Sequence, residues 1–564
     1  MTHEHDVVIV GGVACGPKTA ATLARRRPDL QITLFEKGEH ISYGTCGMPY
    51  FASGDIESFH QLLVTGYDVP RDAEFFKQTK GFTVETGAEV VQIDRERKQV
   101  VVRHHADGSE SKHHYDKLVL ATGANPTPPP FPVADSEKIS TFTRPEQAIA
   151  FRKSAQTGQV GKAVIIGGGF IGCELAEAAA GLWGIETVLI EREPQLLPYG
   201  LDPEMALIIK REMERQDVSV LTGATVAAIE LDGDGNPLVK IEGGEEIAAD
   251  YVFLCLGVRP EVSLAQAAGL SIGVTGGIKV NSKLQTSDPD IFAGGDCIES
   301  THKVSGSAIF LPMGSLANRD GRVIAENIAG NHTEFRDVLG AFMIKTFDMN
   351  AGGVGLTEKI ARKAGFEVRS VWGSFPDKPD YYPEVKTLTA KLLYEDGTLH
   401  LLGLQVVGSG DICRRVDVMS AMLQRQASVV QLLDFEHGYA PPFAEALDPL
   451  HHLAALAQAQ QRGLTMTNPG LGSVDHYALR EDITWLDVRE PEEAENLPWP
   501  CTGGKLLLIP LNELRGRLQE LESQKKTIIV CRRGPRAYQA ALILQQAGFT
   551  DVEIVGGGTQ ASLG

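Results

Sequence analysis

Two cysteines stand where neighbouring residues favour a reactive sulfur. Cys46 lies in Ser42-Tyr43-Gly44-Thr45-Cys46-Gly47-Met48-Pro49-Tyr50, and Phe51 occupies the place five positions on where a two-thiol redox site would put its second cysteine. A single sulfur must then do the chemistry, as a thiolate, because only the anion attacks another sulfur. Its reactive states are a mixed disulfide or persulfide on one branch and a sulfenic acid on the other, and the segment itself leaves both open. Cys531 follows the strand-like run Thr527-Ile528-Ile529-Val530 and opens Cys531-Arg532-Arg533-Gly534-Pro535-Arg536 ahead of a helix over Ala537 to Gln546. A helix N-terminus and arginines beside a cysteine favour its thiolate. A phosphatase loop is the competing reading, but it needs one more residue between Cys531 and Arg536 than the four present. Cys15, Cys173, Cys255 and Cys297 sit beside glycines or in apolar strands and read as packing residues. The eight cysteines contain no CxxC pair, which argues against a disulfide framework or a tetrathiolate metal site, and no metal is expected.

The elements that must position these sulfurs include two strand–glycine-turn–helix–strand units. Gly167-Gly168-Gly169-Phe170-Ile171-Gly172 is a full GxGxxG after the apolar strand Lys162 to Ile166. A helix is expected from about Glu174 to Trp183, then a strand Thr187 to Ile190, with Glu191 at its end. Gly167 makes the turn, Gly169 admits a pyrophosphate, Gly172 lets the helix meet the strand, and Glu191 takes ribose hydroxyls. A carboxylate there repels a 2′-phosphate and favours NADH over NADPH, although Arg192 beside it softens the preference and leaves NADPH open. The N-terminal copy is less regular. Strand Asp6 to Val10 leads into Gly11-Gly12-Val13-Ala14-Cys15-Gly16, with Val13 in the middle glycine position, an Ala/Arg-rich helix through Arg27, a strand Gln31 to Phe35, and Glu36 placed for a second ribose. Two dinucleotides on one chain are most simply a nicotinamide and a flavin, one delivering hydride and the other passing electrons on.

Composition narrows the field further. At 564 residues the chain implies several domains, and its 22% charged and 43% hydrophobic residues are ordinary for a globular protein. A net charge of −20 disfavours nucleic acid and anionic membranes as partners. The start carries no signal-peptide pattern and no apolar run approaches a membrane span, so a cytoplasmic location is expected. Pro126 to Pro132 reads as a crossover between domains. Phe335 to Leu450 changes to strand segments such as Lys386 to Tyr394 and Leu399 to Val407, an α+β pattern, and His451 to Gln461 is a helix before a polar linker, Gly463 to Gly472.

Thr122-Gly123, Gly257-Val258-Arg259-Pro260 and the run Thr286 through Asp290-Ile291-Phe292-Ala293-Gly294-Gly295-Asp296 make the resemblance specific. From Asp6 to Leu450 the chain resembles flavin-dependent pyridine-nucleotide disulfide oxidoreductases. The SxxxCGxP segment at Ser42 to Pro49 resembles coenzyme A-disulfide reductases and the related NADH oxidases and peroxidases. Residues 473–564, with Asp487-Val488-Arg489-Glu490 and the Cys531 loop, resemble a rhodanese domain, although Ser562 stands where a Trp is usual. The implied fold class is α/β: FAD binding over 1–150 and 273–332, NAD(P)H binding over 151–272, an α+β dimerisation domain over 333–450, a linker helix and loop over 451–472, and the rhodanese-like α/β domain.

The resemblance implies FAD contacts at Gly11, Gly12, Gly16, Glu36, Lys37, Thr122, Gly123, Asp296 and Ala317, and nicotinamide-nucleotide contacts at Gly167, Gly169, Gly172, Glu191 and Gly257. It makes Cys46 the redox nucleophile and Cys531 a sulfur carrier. Tyr439, and Tyr382 of Tyr381-Tyr382-Pro383, would reach the active cysteine of a homodimeric partner, unless these aromatics only fill the interface. Ser42, Arg71, Lys80, Arg532 and Arg536 are the candidate substrate contacts, with Lys77 nearby; for the lysines and Arg71 a solvated basic face is an equally simple reading. The expected activity is NADH-driven reduction, through FAD, of coenzyme A persulfide, polysulfide or coenzyme A disulfide. The alternatives are an NADH oxidase or peroxidase, or a non-catalytic redox-sensing sulfur carrier.

Overall fold

The structure is a computed structural model that describes residues 6–467, 480–501 and 503–563. Its contacts divide it into two compact units, residues 1–192, 224–302 and 306–338, and residues 193–223, 303–305 and 339–564.

The first unit holds two parallel sheets, as buried apolar strands joined by helical crossovers demand. One has the order Ile291–Ala293, Lys117–Leu120, Asp6–Val10, Gln31–Glu36, Thr83–Thr86. Asp6–Val10 pairs in register with Gln31 to Phe35 and with Lys117 to Leu120, and is buried along nearly its whole length. In the other, Lys162–Ile166 lies between Glu186–Glu191 and Tyr251–Leu254, all parallel. The helix after the second glycine turn runs Phe170–Ala180, four residues ahead of the expected start, because Gly169 in extended conformation already serves as its N-cap. The helix Cys15–Arg26 packs beside Gly314–Ile328, where Gly321 admits it closely: a Cβ there would lie 2.6 Å from the Cys15 carbonyl oxygen.

The second unit carries an antiparallel sheet in the order Phe342–Thr346, Met349–Gly355, Leu401–Gly408, Thr387–Glu395, Val368–Pro376, which leaves Val368–Pro376 on an edge. The helix Pro449–Gln461 sends Leu450, Leu453, Ala454 and Ala457 into that domain's core. Farther along the same helix Ala459 joins the core of the C-terminal module. The stretch after it departs from expectation: Thr465–Thr467 pairs with Glu553 to Val555 as a strand of the C-terminal sheet. The remaining residues of the expected linker, 468–472, fall outside the described residues, as do 473–479. The C-terminal sheet is parallel, in the order Thr465–Thr467, Val552–Val555, Lys526–Val530, Ile483–Asp487, Lys505–Leu508. No described helix is long and apolar enough to cross a membrane.

A buried charge cluster ties residues 193–223 to the antiparallel sheet. Lys391 is fully buried, with Nζ 2.7 Å from Asp202, 2.8 Å from Glu204 and 2.9 Å from Glu358, and 4.2 Å from the Trp372 ring centre. The three carboxylates converge tightly enough to suit a metal ion, and the lysine ammonium fills that space. Removing one partner of such a cluster leaves uncompensated buried charge. Lys391→Met is expected to cost about 3 kcal/mol, read as a lower thermal midpoint for the unit; an unchanged midpoint would show that the cluster contributes no net stability.

Candidate functional site

At the first nucleotide turn the chain folds back so tightly that a Cβ on Gly16 would lie 1.9 Å from the Gly11 carbonyl oxygen. The second turn repeats this to the same figure between Gly172 and Gly167, and Gly11 and Gly167 both hold left-handed φ, at 107° and 111°. Only glycine meets both demands. Glu36 accepts from Gly12 N at 2.6 Å and Gly38 N at 2.7 Å, and Glu191 accepts from Gly168 N at 2.6 Å. Each carboxylate is thus held at its turn, at the carboxyl end of its sheet, where ribose hydroxyls would meet it.

Polar groups at the first sheet's rim fit a polyhydroxylated ligand. Burial pushes Asp296 up to about 6. Asp320 is pushed up to about 7, chiefly by burial; its Oδ2 accepts from Gly295 N at 2.8 Å, while its buried Oδ1 has no hydrogen-bond partner. Ala317 is buried beside Gly295, Thr122 donates to the Glu261 carbonyl at 2.6 Å, and Gly123 and Gly257 hold left-handed φ. Against burial, hydrogen bonds from Ser263 and Asn125 hold the Glu261 carboxyl below its usual range, and the Lys37 charge adds to them. At the second turn the space beside Gly169 is open, as a pyrophosphate approach requires.

Cys46 sits in the turn Thr45–Gly47, directly before the helix Met48–Ser53. Gly44 N donates to the Leu62 carbonyl at 3.0 Å, and Leu62 packs so close to Gly47 that a Cβ there would lie 2.4 Å from it. Arg71 gives its guanidinium to the carbonyls of Leu62 and Leu63, at 2.7 and 3.3 Å. Arg71 thereby braces the cysteine turn. Ser42 holds φ 51° with its amide on the Gly12 carbonyl, linking this turn to the glycine loop. Lys80 lies over the Phe75 ring, 5.3 Å from its centre.

The environment of Cys46 pulls both ways. Burial raises its pKa, and the negative charges of Glu174 and Asp296 raise it further. Glu174, itself pushed up to about 7 by burial, accepts from the Tyr50 hydroxyl at 3.3 Å. Against these, the helix Gly314–Ile328 begins beside the sulfur: a Cβ on Gly314 would lie 3.9 Å from Cys46 Sγ. The positive end of a helix favours a thiolate. No motif in the sequence marks Glu174 or Gly314 as a neighbour of Cys46, because both belong to elements remote along the chain.

A basic cleft of about 330 Å³ between the helices Cys15–Arg26 and Gly314–Ile328 is lined by Lys18, Thr22, Arg25, Arg26, Arg322 and Glu326. Glu326 takes Arg26, at 2.8 Å, which leaves the cleft a surplus of positive charge suited to phosphate groups. In the sequence the first four of these residues stand only as part of an Ala/Arg-rich helix.

In the second unit Cys531 follows the strand Lys526–Val530 and is only 1% exposed. Burial raises its pKa; the backbone N–H groups of Ala537, Gly534 and Arg533 and the charge of Arg536 oppose that, with Gly534 N 3.0 Å from Sγ. Arg536 makes a two-pronged pair with Glu493, at 2.5 and 2.8 Å, which holds Glu493 down at about 2. Arg532 is exposed. The buried pair Asp487–Arg489, at 2.6 Å, braces the neighbouring strand end. Of the expected tyrosines, Tyr439 bonds through its hydroxyl to Tyr381, while Tyr382 has Lys378 over its ring.

Two nucleotide-binding turns, a lone thiol at the start of a short helix and a second cysteine cradled by backbone amides define a dinucleotide-dependent sulfur oxidoreductase. The chain belongs to the pyridine nucleotide-disulphide oxidoreductase family: residues 5–310 match that family, residues 342–451 its dimerisation domain, and residues 475–562 the rhodanese-like domain. The chain is 34% identical to an NAD(P)H coenzyme A polysulfide/persulfide reductase of Pyrococcus horikoshii, over 80% of this chain and 98% of that protein. Among solved structures it is similar to an NAD-dependent persulfide reductase from A. fulgidus, with 37% identity, 99% of both chains covered and a TM-score of 0.93. It is also similar to the Bacillus anthracis protein CoADR-RHD, with 32% identity, 99% of this chain and 97% of that one covered, and a TM-score of 0.90.

Glu174→Gln removes one of the charges that raise the Cys46 pKa, so the pH midpoint for Cys46 alkylation should fall; a rise or no change would show that the Glu174 charge does not reach the sulfur. Gly16→Val places a side chain against the Gly11 carbonyl and is expected to yield protein without bound flavin, read from its visible absorbance.

Proposed function

We propose that this protein is an FAD-dependent NADH:persulfide and coenzyme A-disulfide reductase that works through Cys46 and carries sulfane sulfur on Cys531. The observation that carries this reading is the pairing, in one chain, of a single thiol at a helix N-terminus beside a flavin-type rim with a second cysteine held by backbone amides. The names of the relatives support it.

FAD, when bound, accepts hydride from the nicotinamide and passes an electron pair on to sulfur. Glu36 and Glu191 fix the two riboses, and the carboxylate of Glu191 favours NADH over NADPH. Coenzyme A phosphates fit the cleft of Lys18, Arg25 and Arg322. Cys46 thiolate attacks the sulfur–sulfur bond: attack on the inner sulfur of coenzyme A persulfide expels hydrosulfide, attack on the outer sulfur expels the coenzyme A thiolate. Tyr381, Tyr439, Phe443 and Leu447 are large and exposed, at 75, 51, 70 and 54%. Their exposure supports a homodimer in which this face is covered and the Tyr381–Tyr439 hydroxyls supply a proton to a leaving thiolate. All eight cysteines are free, which suits a reducing, cytoplasmic setting.

The test is anaerobic NADH oxidation with coenzyme A persulfide, coenzyme A disulfide and hydrogen peroxide. Cys46→Ser should lose sulfide release by at least about a thousandfold, as loss of a catalytic nucleophile does. Cys531→Ser should keep reduction of preformed coenzyme A persulfide and lose sulfur transfer. Activity with peroxide alone would overturn the reading in favour of a peroxidase.

A further inference from the structure

The loop that carries Cys531 is not completed by its own module. Three successive carbonyls of the loop are each taken by an amide: Cys531 O by Thr559 N at 2.9 Å, Arg532 O by Gln560 N at 2.9 Å, and Arg533 O by Ser374 N at 3.2 Å. A peptide unit points its C=O and N–H in opposite directions. Turning the Arg532 and Arg533 carbonyls outward therefore turns the N–H groups of Arg533 and Gly534 inward, to Sγ. The first two outward bonds come from the same module. The third comes from the edge strand Val368–Pro376 of the antiparallel sheet.

An edge strand has free backbone donors, and this one spends the Ser374 amide on the loop. The approach is close enough that a Cβ on Gly557 would lie 3.2 Å from Ser374 Oγ. The loop's side chain is held from the same direction: Arg533 makes a two-pronged pair with Asp380, at 3.0 Å. Arg533 is thereby directed at a carboxylate of the neighbouring domain and not at a ligand of Cys531. Asp380 immediately precedes Tyr381, the partner of Tyr439, so the sulfur loop and the tyrosine pair share one short connection.

We propose that Ser374 and Asp380 are positioning residues for Cys531: the antiparallel domain holds the Arg533–Gly534 peptide with its N–H on the sulfur and so stabilises the thiolate and persulfide that carry sulfane sulfur. The hydrogen bonds form a chain, Ser374 N–H to Arg533 C=O and, through the same peptide, Gly534 N–H to Sγ, in which each bond polarises the next. This rests on the reading of Cys531 as a sulfur carrier. In the step it serves, Cys531 thiolate attacks the terminal sulfur of an alkyl persulfide RSSH. A new bond forms between Cys531 and that sulfur, the RS–S bond breaks, RS⁻ leaves with the electron pair, and the proton stays on the transferred sulfur, with no external oxidant or reductant. The charged groups around Cys531 are Arg532, Arg533 and Arg536 from its own loop and helix, Glu490 and Glu493 from the preceding segment, and Asp380 and Glu445 from the antiparallel domain.

The experiment uses the full-length, FAD-loaded protein and the variants Asp380→Ala, Ser374→Pro and the exchange Asp380→Arg with Arg533→Asp. Proline removes the amide donor on the unpaired side of the edge strand, together with the Ser374 hydroxyl that meets Thr389. Flavin absorbance reports that the first unit has folded, and a wild-type thermal midpoint reports the same of the second. Two readouts are taken: the pH dependence of Cys531 alkylation by iodoacetamide, followed on its peptide, and single-turnover uptake of one sulfur atom from glutathione persulfide, followed by intact mass. The single variants should move the alkylation midpoint to higher pH and slow sulfur uptake about tenfold, the loss expected for one charge-assisted hydrogen bond, and the exchange should recover most of both. An alkylation midpoint unchanged in both single variants would overturn the proposal. A shifted midpoint in a protein whose wild type takes up no sulfur would instead leave the positioning intact and sink the sulfur-carrier reading.

Discussion

A thiolate inside a protein has to be met by donors that are in place before it ionises, and this requirement binds both sulfurs proposed to react to their surroundings. Burial opposes ionisation at Cys46 and at Cys531 alike. At Cys531 the answer is a ring of backbone amides and the charge of Arg536. At Cys46 two carboxyl groups add to the opposition, and the favourable element is the N-terminal end of a fifteen-residue helix that reaches the sulfur at Gly314. The first solution is rigid and enclosed, which suits storage of a labile sulfur. The second is open at its surface, which suits exchange with a bulky thiol.

The scaffold serves these two sulfurs by repeating one arrangement. Parallel strands end at a turn, and chemistry collects at their carboxyl ends where helix N-termini point. The first unit uses it twice for dinucleotides, and the C-terminal sheet uses it once for Cys531 after the strand Lys526–Val530. The antiparallel domain is built differently, with Lys391 and its three carboxylates as an internal ionic anchor and an edge strand that gives a backbone donor away.

Much of this was legible in the sequence where one residue type alone could satisfy the geometry. The close approaches at Gly16 and Gly172 admit no side chain, and the strands Asp6–Val10 and Lys162–Ile166 appear as apolar runs because parallel strands are buried on both faces. Contacts between distant segments were not legible. Nothing in Gly314 announces that its helix starts at Cys46, and Arg71 looks like any basic residue until its guanidinium is seen on the Leu62 and Leu63 carbonyls. Tyr381 and Tyr382 are adjacent and alike, so only the turn of their loop decides that Tyr381 meets Tyr439. The helix Phe170–Ala180 begins early because extended glycine can cap a helix, and Thr465–Thr467 is a strand because the C-terminal sheet has an edge for it.

We propose Cys46 alone as the sulfur at which electrons reach a substrate disulfide or persulfide. Its most direct test is an anaerobic single turnover of the NADH-reduced, FAD-loaded protein with coenzyme A disulfide, quenched in acid and mapped by peptide mass spectrometry. A coenzyme A mixed disulfide is expected on the Cys46 peptide, and it should disappear when a further equivalent of NADH is added. An adduct found only on Cys531, or substrate reduced with Cys46 unmodified at every time point, would contradict that claim.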